Sequence, residues 1–219
     1  MNLRGSESIR GLPRGGWPLL YTAIGVAFVI WFFLFAVPGT PFWGVIAPAT
    51  FVLGGGALLV YRDTLQGSLR EWLGHLALGL LAAGALYLIF ALGNQLVRIL
   101  PFMNGGEGVE NVYATKTQAS SSLIGALLLF PIGPGEELFW RAWVQRAMMH
   151  RFGAWKGFAL TTLLYSAVHF SSLNLTLIAA ATVAGIFWGI LYLKVGHVGP
   201  GVVSHALWDA AVFIWFPFV

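Results

Sequence analysis

From residue 17 to residue 216 the chain is a succession of long apolar runs broken by short turns, and this pattern limits the fold before any motif does. A helix of about 20 apolar residues spans a bilayer. Runs of this length and continuity read as membrane-spanning helices. The fold class is therefore all-α: a polytopic transmembrane helical bundle of about seven spans, forming one integral-membrane domain over 1–219.

Composition sharpens this on three points. Only 9% of the residues are charged, against about 25% in a soluble domain. The twelve Lys and Arg residues are scattered over helix ends with no basic run, so the net charge of +4 reports loop topology and no nucleic-acid partner is expected. Cysteine is absent, which excludes disulfides, thiolate metal sites and a cysteine nucleophile.

Taken in order, 1–16 is a short basic tail. Predicted helices cover 17–37, 42–61, 72–100, 122–149, 157–170, 175–194 and 202–216. The first is long enough to be retained as a helix rather than removed as a leader. Gly54, Gly55 and Gly56, together with Pro48, predict a kink or close packing in the second. Residues 101–120 form the one long polar segment. Basic residues gather in the tail, the 62–71 loop and the turns at 146–156 and 194–197. By the positive-inside rule these face the cytoplasm, with a cytoplasmic N-terminus in a bacterial or archaeal plasma membrane.

Inside the fourth apolar run lies Pro134-Gly135-Glu136-Glu137-Leu138-Phe139-Trp140-Arg141. Carboxylates at membrane depth are costly and mark functional sites or paired structural charges. Pro131, Gly133, Pro134 and Gly135 predict a break here, with Pro134 in the first turn of a new helix and both carboxylates near its free N–H groups. Glu137 and Arg141 are four apart and share a face, while Glu136 points about 100° away from them.

The other titratable groups within the runs are few. His169 lies late in the fifth helix, one turn after Tyr165 on the same face. His205 and Asp209 are four apart on the seventh. His75 is an interfacial side chain without an evident partner, and His150 and His197 fall in basic turns. Helix rise places Glu136, His169 and His205 in the cytoplasmic half or near the midplane, close enough to share a cavity.

A carboxylate with two imidazoles suits water activation, with Glu136 as general base and His205, with Asp209, or His169 donating to an oxyanion. The same set, Glu136, His169, His205 and Asp209, could instead hold Zn²⁺, although His-Glu-x-x-His is absent. A proton-coupled carrier is a third possibility, lowered by the lack of an internal repeat.

Three motifs in this order, Glu136-Glu137-x-x-x-Arg141, Tyr165-x-x-x-His169 and His205-x-x-x-Asp209, resemble the CPBP family of type II CAAX-prenyl endopeptidases and bacteriocin-processing or immunity proteins. The resemblance spans about 121–216, the expected catalytic core. It implies an intramembrane endopeptidase acting on a membrane-anchored protein or peptide, or a non-catalytic binding or immunity protein of the same fold. It assigns Glu136 to water activation and places His169, His205 and Asp209 in the site, with Glu137, Arg141 and Tyr165 in support. No cofactor is favoured, with zinc as the alternative. Tyr165 stands where the family has Phe. Asp209 stands where it has Asn or Asp, and an ionised carboxylate cannot donate to an oxyanion.

Overall fold

A computed structural model describes residues 11–13, 16–100 and 105–218, so most of the basic tail lies outside the described residues. All regular structure among them is helical: α1 (Gly16–Ala36), α2 (Phe42–Val60), α3 (Leu69–Ile99), α4 (Gly105–Ala114), α5 (Ser121–Phe152), α6 (Ala154–Ala167), α7 (Leu175–Val195) and α8 (Gly199–Ala210, continued by a wide turn over Ala211–Trp215). The seven apolar runs thus become helices in the expected order. Five of them, α1, α2, α3, α5 and α7, are long and apolar enough to cross a membrane. The 14-residue α6 and the 12 residues of α8 with its five-residue extension are shorter.

Polarity is arranged for lipid. Phe51, Leu81, Leu92 and Phe130 are 70–75% exposed, whereas Glu137, Arg141 and Gln145 are at most 1% exposed. Surrounding the charged interior with apolar side chains is what an integral membrane protein requires.

Local chemistry explains where the elements depart from expectation. α3 starts at Leu69, three residues early, because Ser68 and Glu71 form a capping box: the Glu71 N–H bonds to Ser68 Oγ (3.3 Å) and the Ser68 N–H to Glu71 Oε2 (2.7 Å). Ser120 and Asn174 cap α5 and α7 more simply, each side chain accepting one N–H, from Leu123 and Leu177. The polar 101–120 segment is not all loop, since 105–114 is helical and Thr115–Gln118 a 3₁₀ turn.

The largest correction concerns the expected break near Pro131 and Pro134. α5 is continuous. A proline removes an N–H and crowds the carbonyl four residues back, and here wide i→i−5 turns over Leu128–Ile132 and Leu138–Gln145 absorb that. The Gly133 N–H reaches the Leu128 carbonyl across the first of these turns. Glu136 and Glu137 therefore lie in mid-helix, without the free helix N-terminus that the sequence suggested.

α5 is the centre of the bundle. It contacts α2 on one side and α8 and α6 on the others, with α6 also packed on α7 and α8 lying along α3. Glycine allows the closest crossings. A Cβ on Gly135 would come within 2.5 Å of the Thr50 carbonyl oxygen, and one on Gly54 within 2.8 Å of Gly135 Cα. The close packing expected of the α2 glycines is found at Gly54 and at Gly56, which faces Trp143.

The two ends of the bundle differ. At one end the basic loops meet: Arg146 makes a two-pronged ion pair with Asp63 (3.1 and 2.8 Å), and His197 Nε2 faces the Gln66 carbonyl (3.2 Å). At the other, Phe42 and Trp43 bond to Gln118 and Thr115, Asn174 to Gly108, and Phe218 to Tyr113.

Candidate active site

Along α5, Glu137, Arg141 and Gln145 follow one another at four-residue spacing and are fully buried. Arg141 Nε lies 3.7 Å from Glu137 Oε2, so the expected pair forms as an ion pair rather than a close hydrogen bond. Its guanidinium also sits over the Tyr165 ring, 4.8 Å from the centroid. The other carboxylate oxygen, Glu137 Oε1, is 3.1 Å from His205 Nδ1. This link between the first and third motifs was not legible in the sequence, because neither spacing nor periodicity relates α5 to α8.

His205 is held on three sides. Its ring stacks on Trp188 at 3.7 Å between centroids and 17° between planes, and Trp188 Nε1 donates to Ser204 Oγ (3.1 Å). Its Nε2 faces Asp209 Oδ2 at 3.6 Å, one turn on in the same helix. Gly201 brings α8 close to α5, since a Cβ there would come 2.7 Å from Glu137 Oε2.

His169 is not in a helix as expected. α6 ends at Ala167, and His169 follows in the turn leading to a 3₁₀ turn at Phe170–Ser172. Its Nδ1 lies 2.9 Å from the Tyr165 carbonyl, and its Nε2 lies 3.4 Å from Trp31 Nε1. A carbonyl only accepts and an indole N–H only donates. Together they select the neutral tautomer with hydrogen on Nδ1 and a lone pair on Nε2.

A cavity of about 630 Å³ gathers these groups. Glu136, Tyr165, His169, His205 and Asp209 all line it, with apolar walls from Trp31, Phe35, Trp43, Phe90 and Trp188. Glu137 and Arg141 do not; they stand behind the wall and reach the cavity through His205 and Tyr165. Glu136 is 8% exposed, and its Oε2 is buried without a hydrogen-bond partner.

The cavity extends to Asn94, Tyr113, Asn174 and Phe218, at the bundle end opposite the basic loops. The sequence places Glu136, His169 and His205 in the half nearer those loops or near the midplane, and the structure shifts only His169. α6 begins three residues earlier than expected and ends before His169, so that residue lies at the far end.

Among the described residues no three His, Asp or Glu side chains converge as a metal-binding group. His169 Nε2 faces the Trp31 indole N–H, and both nitrogens of His205 face carboxylates. Trp31 and Trp188 were missed from sequence because a tryptophan in an apolar run looks like any lipid-facing or core aromatic. Outside the site, His75 does have a partner: its ring stacks on His197 at 4.1 Å, and both rings are half-buried.

Comparison with known proteins agrees with the motifs. Residues 116–211 match the family model described as type II CAAX prenyl endopeptidase Rce1-like. No significant match was found among curated proteins or solved structures. The matched segment begins before α5 and ends just past Asp209, and so contains all three motifs. The chain is thus a helical membrane protein that carries an Rce1-like domain over residues 116–211, in keeping with the CPBP family.

Proposed function

We propose that this protein is an intramembrane endopeptidase that cleaves a membrane-anchored protein or peptide with water activated by Glu136. The observation that carries this reading is the placement of Glu136. Its unpartnered carboxylate oxygen lies in a mostly apolar cavity that also holds His169, His205 and Asp209. A buried carboxylate oxygen without a partner is costly unless it has work to do.

In this mechanism water lies between Glu136 and His169. His169, its Nε2 lone pair taken by the Trp31 indole N–H, is a fixed wall beside the water, while Glu136 takes the water's proton as the oxygen bonds to the scissile carbonyl carbon. The resulting oxyanion needs a donor. His205 Nδ1 donates to Glu137, and in the imidazolium form Nε2 also carries a hydrogen, which at 3.6 Å from Asp209 is not committed to a hydrogen bond there. Its Nε2–H is the donor available to the oxyanion, with Asp209 orienting it. On this reading the aspartate at that position need not itself donate. Collapse of the tetrahedral intermediate breaks the C–N bond, and the proton on Glu136 passes to the departing amine. General-base catalysis contributes about 10²–10⁴-fold, and an oxyanion donor about 10²–10³-fold.

With the basic loops placed in the cytoplasm, the cavity opens towards the opposite face, and substrate segments would reach it from there or laterally.

The test is cleavage of a membrane-anchored peptide library by purified protein in liposomes. Wild type would be compared with Glu136→Gln and His205→Ala, each with and without a strong chelator. Loss in both variants with chelator-insensitive wild-type activity supports the reading. Activity lost to chelator and restored by Zn²⁺ replaces it with the metal-dependent one, and a wild type that binds but never cleaves supports the non-catalytic alternative.

A further inference from the structure

Beyond the last turn of α8 the backbone leaves the helix at Phe216 (φ −140°, ψ 63°). It then passes between α3 and α4, held by side chains that bond its main chain. Tyr87 Oη donates to the Phe216 carbonyl (3.1 Å), and the Phe218 N–H donates to Tyr113 Oη (3.1 Å). Arg98 Nη2 and Asn94 Nδ2 both donate to the Phe218 carbonyl, at 3.0 and 3.5 Å. Tyr87 stacks on the Phe218 ring, with centroids 5.1 Å apart.

This is how a protein holds an extended peptide: main-chain hydrogen bonds for affinity, with an aromatic contact beside them. Asn94 Oδ1 is in addition buried without a hydrogen-bond partner, an acceptor placed beside a carboxamide that already reads a peptide carbonyl. Asn94, Tyr113 and Phe218 line the same cavity as Glu136 and His205. From Asp209 to Phe216 the rise along α8 is about 10 Å. An extended peptide covers that in about three residues.

We propose that Tyr87, Asn94, Arg98 and Tyr113 form a subsite that reads the main chain of an extended peptide substrate, and that Phe216–Phe218 of this chain occupies it as an internal competitor. The proposal rests on the endopeptidase reading for the identity of the ligand, but the binding it describes is measurable without cleavage. It differs from that reading in its residues, since all four side chains lie outside 116–211. It also gives the proline a reason: Pro217 has no N–H to satisfy, so the competitor needs fewer partners than an ordinary peptide would.

The experiment uses the full chain in nanodiscs with Phe216→Gly, Pro217→Ser and Phe218→Gly combined, and Phe218→Gly alone as a milder variant in case the first fails to fold. The probe is a fluorescein-labelled Trp-Phe-Pro-Phe amide, followed by anisotropy, alongside cleavage of an anchored reporter peptide. Release of the subsite is expected to tighten probe binding at least tenfold and to lower the reporter KM with kcat unchanged. Adding Arg98→Ala or Asn94→Ala to the released variant is expected to weaken the probe about tenfold again. Equal binding to the native and released chains, or binding indifferent to Arg98 and Asn94, overturns the subsite. Probe binding as expected with no reporter cleaved by any variant leaves the subsite standing and removes the endopeptidase reading instead.

Discussion

The segment 116–211 and the rest of the chain divide the cavity between them in different ways. The matched segment supplies the titratable groups Glu136, His169, His205 and Asp209. The remainder supplies walls and fixings: Trp31 on the His169 lone pair, Thr50 and Gly54 against the α5 crossing, and the α3 side chains around Phe216–Phe218. The difference teaches that motif residues alone do not build the site. An imidazole becomes useful when something fixes its tautomer, and for His169 half of that fixing comes from α1, which carries no motif.

The comparison can be broken or sharpened by experiment. The largest effect is expected within the matched segment, where Glu136→Gln should lower cleavage by about 10²–10⁴-fold in a reconstituted assay while leaving the melting temperature unchanged. A loss under tenfold would move the general base elsewhere. Next comes the crossing shared by both regions. Gly54→Ala and Gly135→Ala each force a Cβ into opposing backbone and should cost about 1–3 kcal/mol, read as similar drops in thermal stability. If only Gly135→Ala is harmful, α2 is a wall that yields.

Trp31→Phe keeps an aromatic ring but removes the N–H, and one hydrogen bond is worth about 0.5–1.5 kcal/mol. Cleavage should fall about 2- to 12-fold through kcat, and an unchanged rate would reduce Trp31 to packing. At the basic end Asp63→Asn removes a partly exposed partner of Arg146 and should cost about 0.2–1 kcal/mol with no effect on cleavage.

The smallest expected effect is one of pH. Burial, with His75 stacked beside it, holds the loop imidazole of His197 below its ordinary value. The unfolded chain then binds the extra proton first, so stability is full above about pH 6.5 and falls as the pH drops below it. His197→Gln should make thermal stability less pH-dependent across that range. An unaltered profile would assign the dependence to other groups.

Much of the architecture was legible because a bilayer leaves a sequence little freedom. Seven apolar runs had to become helices, and they did. The capping box at Ser68 is present in the letters Ser-x-x-Glu, whereas hydropathy alone starts the helix at Trp72, which is why α3 begins earlier than expected. The break expected near Pro131 and Pro134 is absent for another reason. Proline and glycine normally mark a helix boundary, but α2 and α8 press on both sides of Gly133 and Gly135, and wide turns keep the helix whole.

The sequence by itself determined the class of the chain, the approximate limits of its spans and the identity of its few interior charges, because hydropathy and helical spacing are local properties. Only the tertiary structure decided which groups share a cavity and which stand behind it. It gave Glu137 to His205, Trp31 to His169 and Phe218 to Arg98, contacts separated by 68, 138 and 120 positions. Such pairings depend on how close two helices can approach, and that is set by the glycines at their crossings rather than by any spacing within one helix.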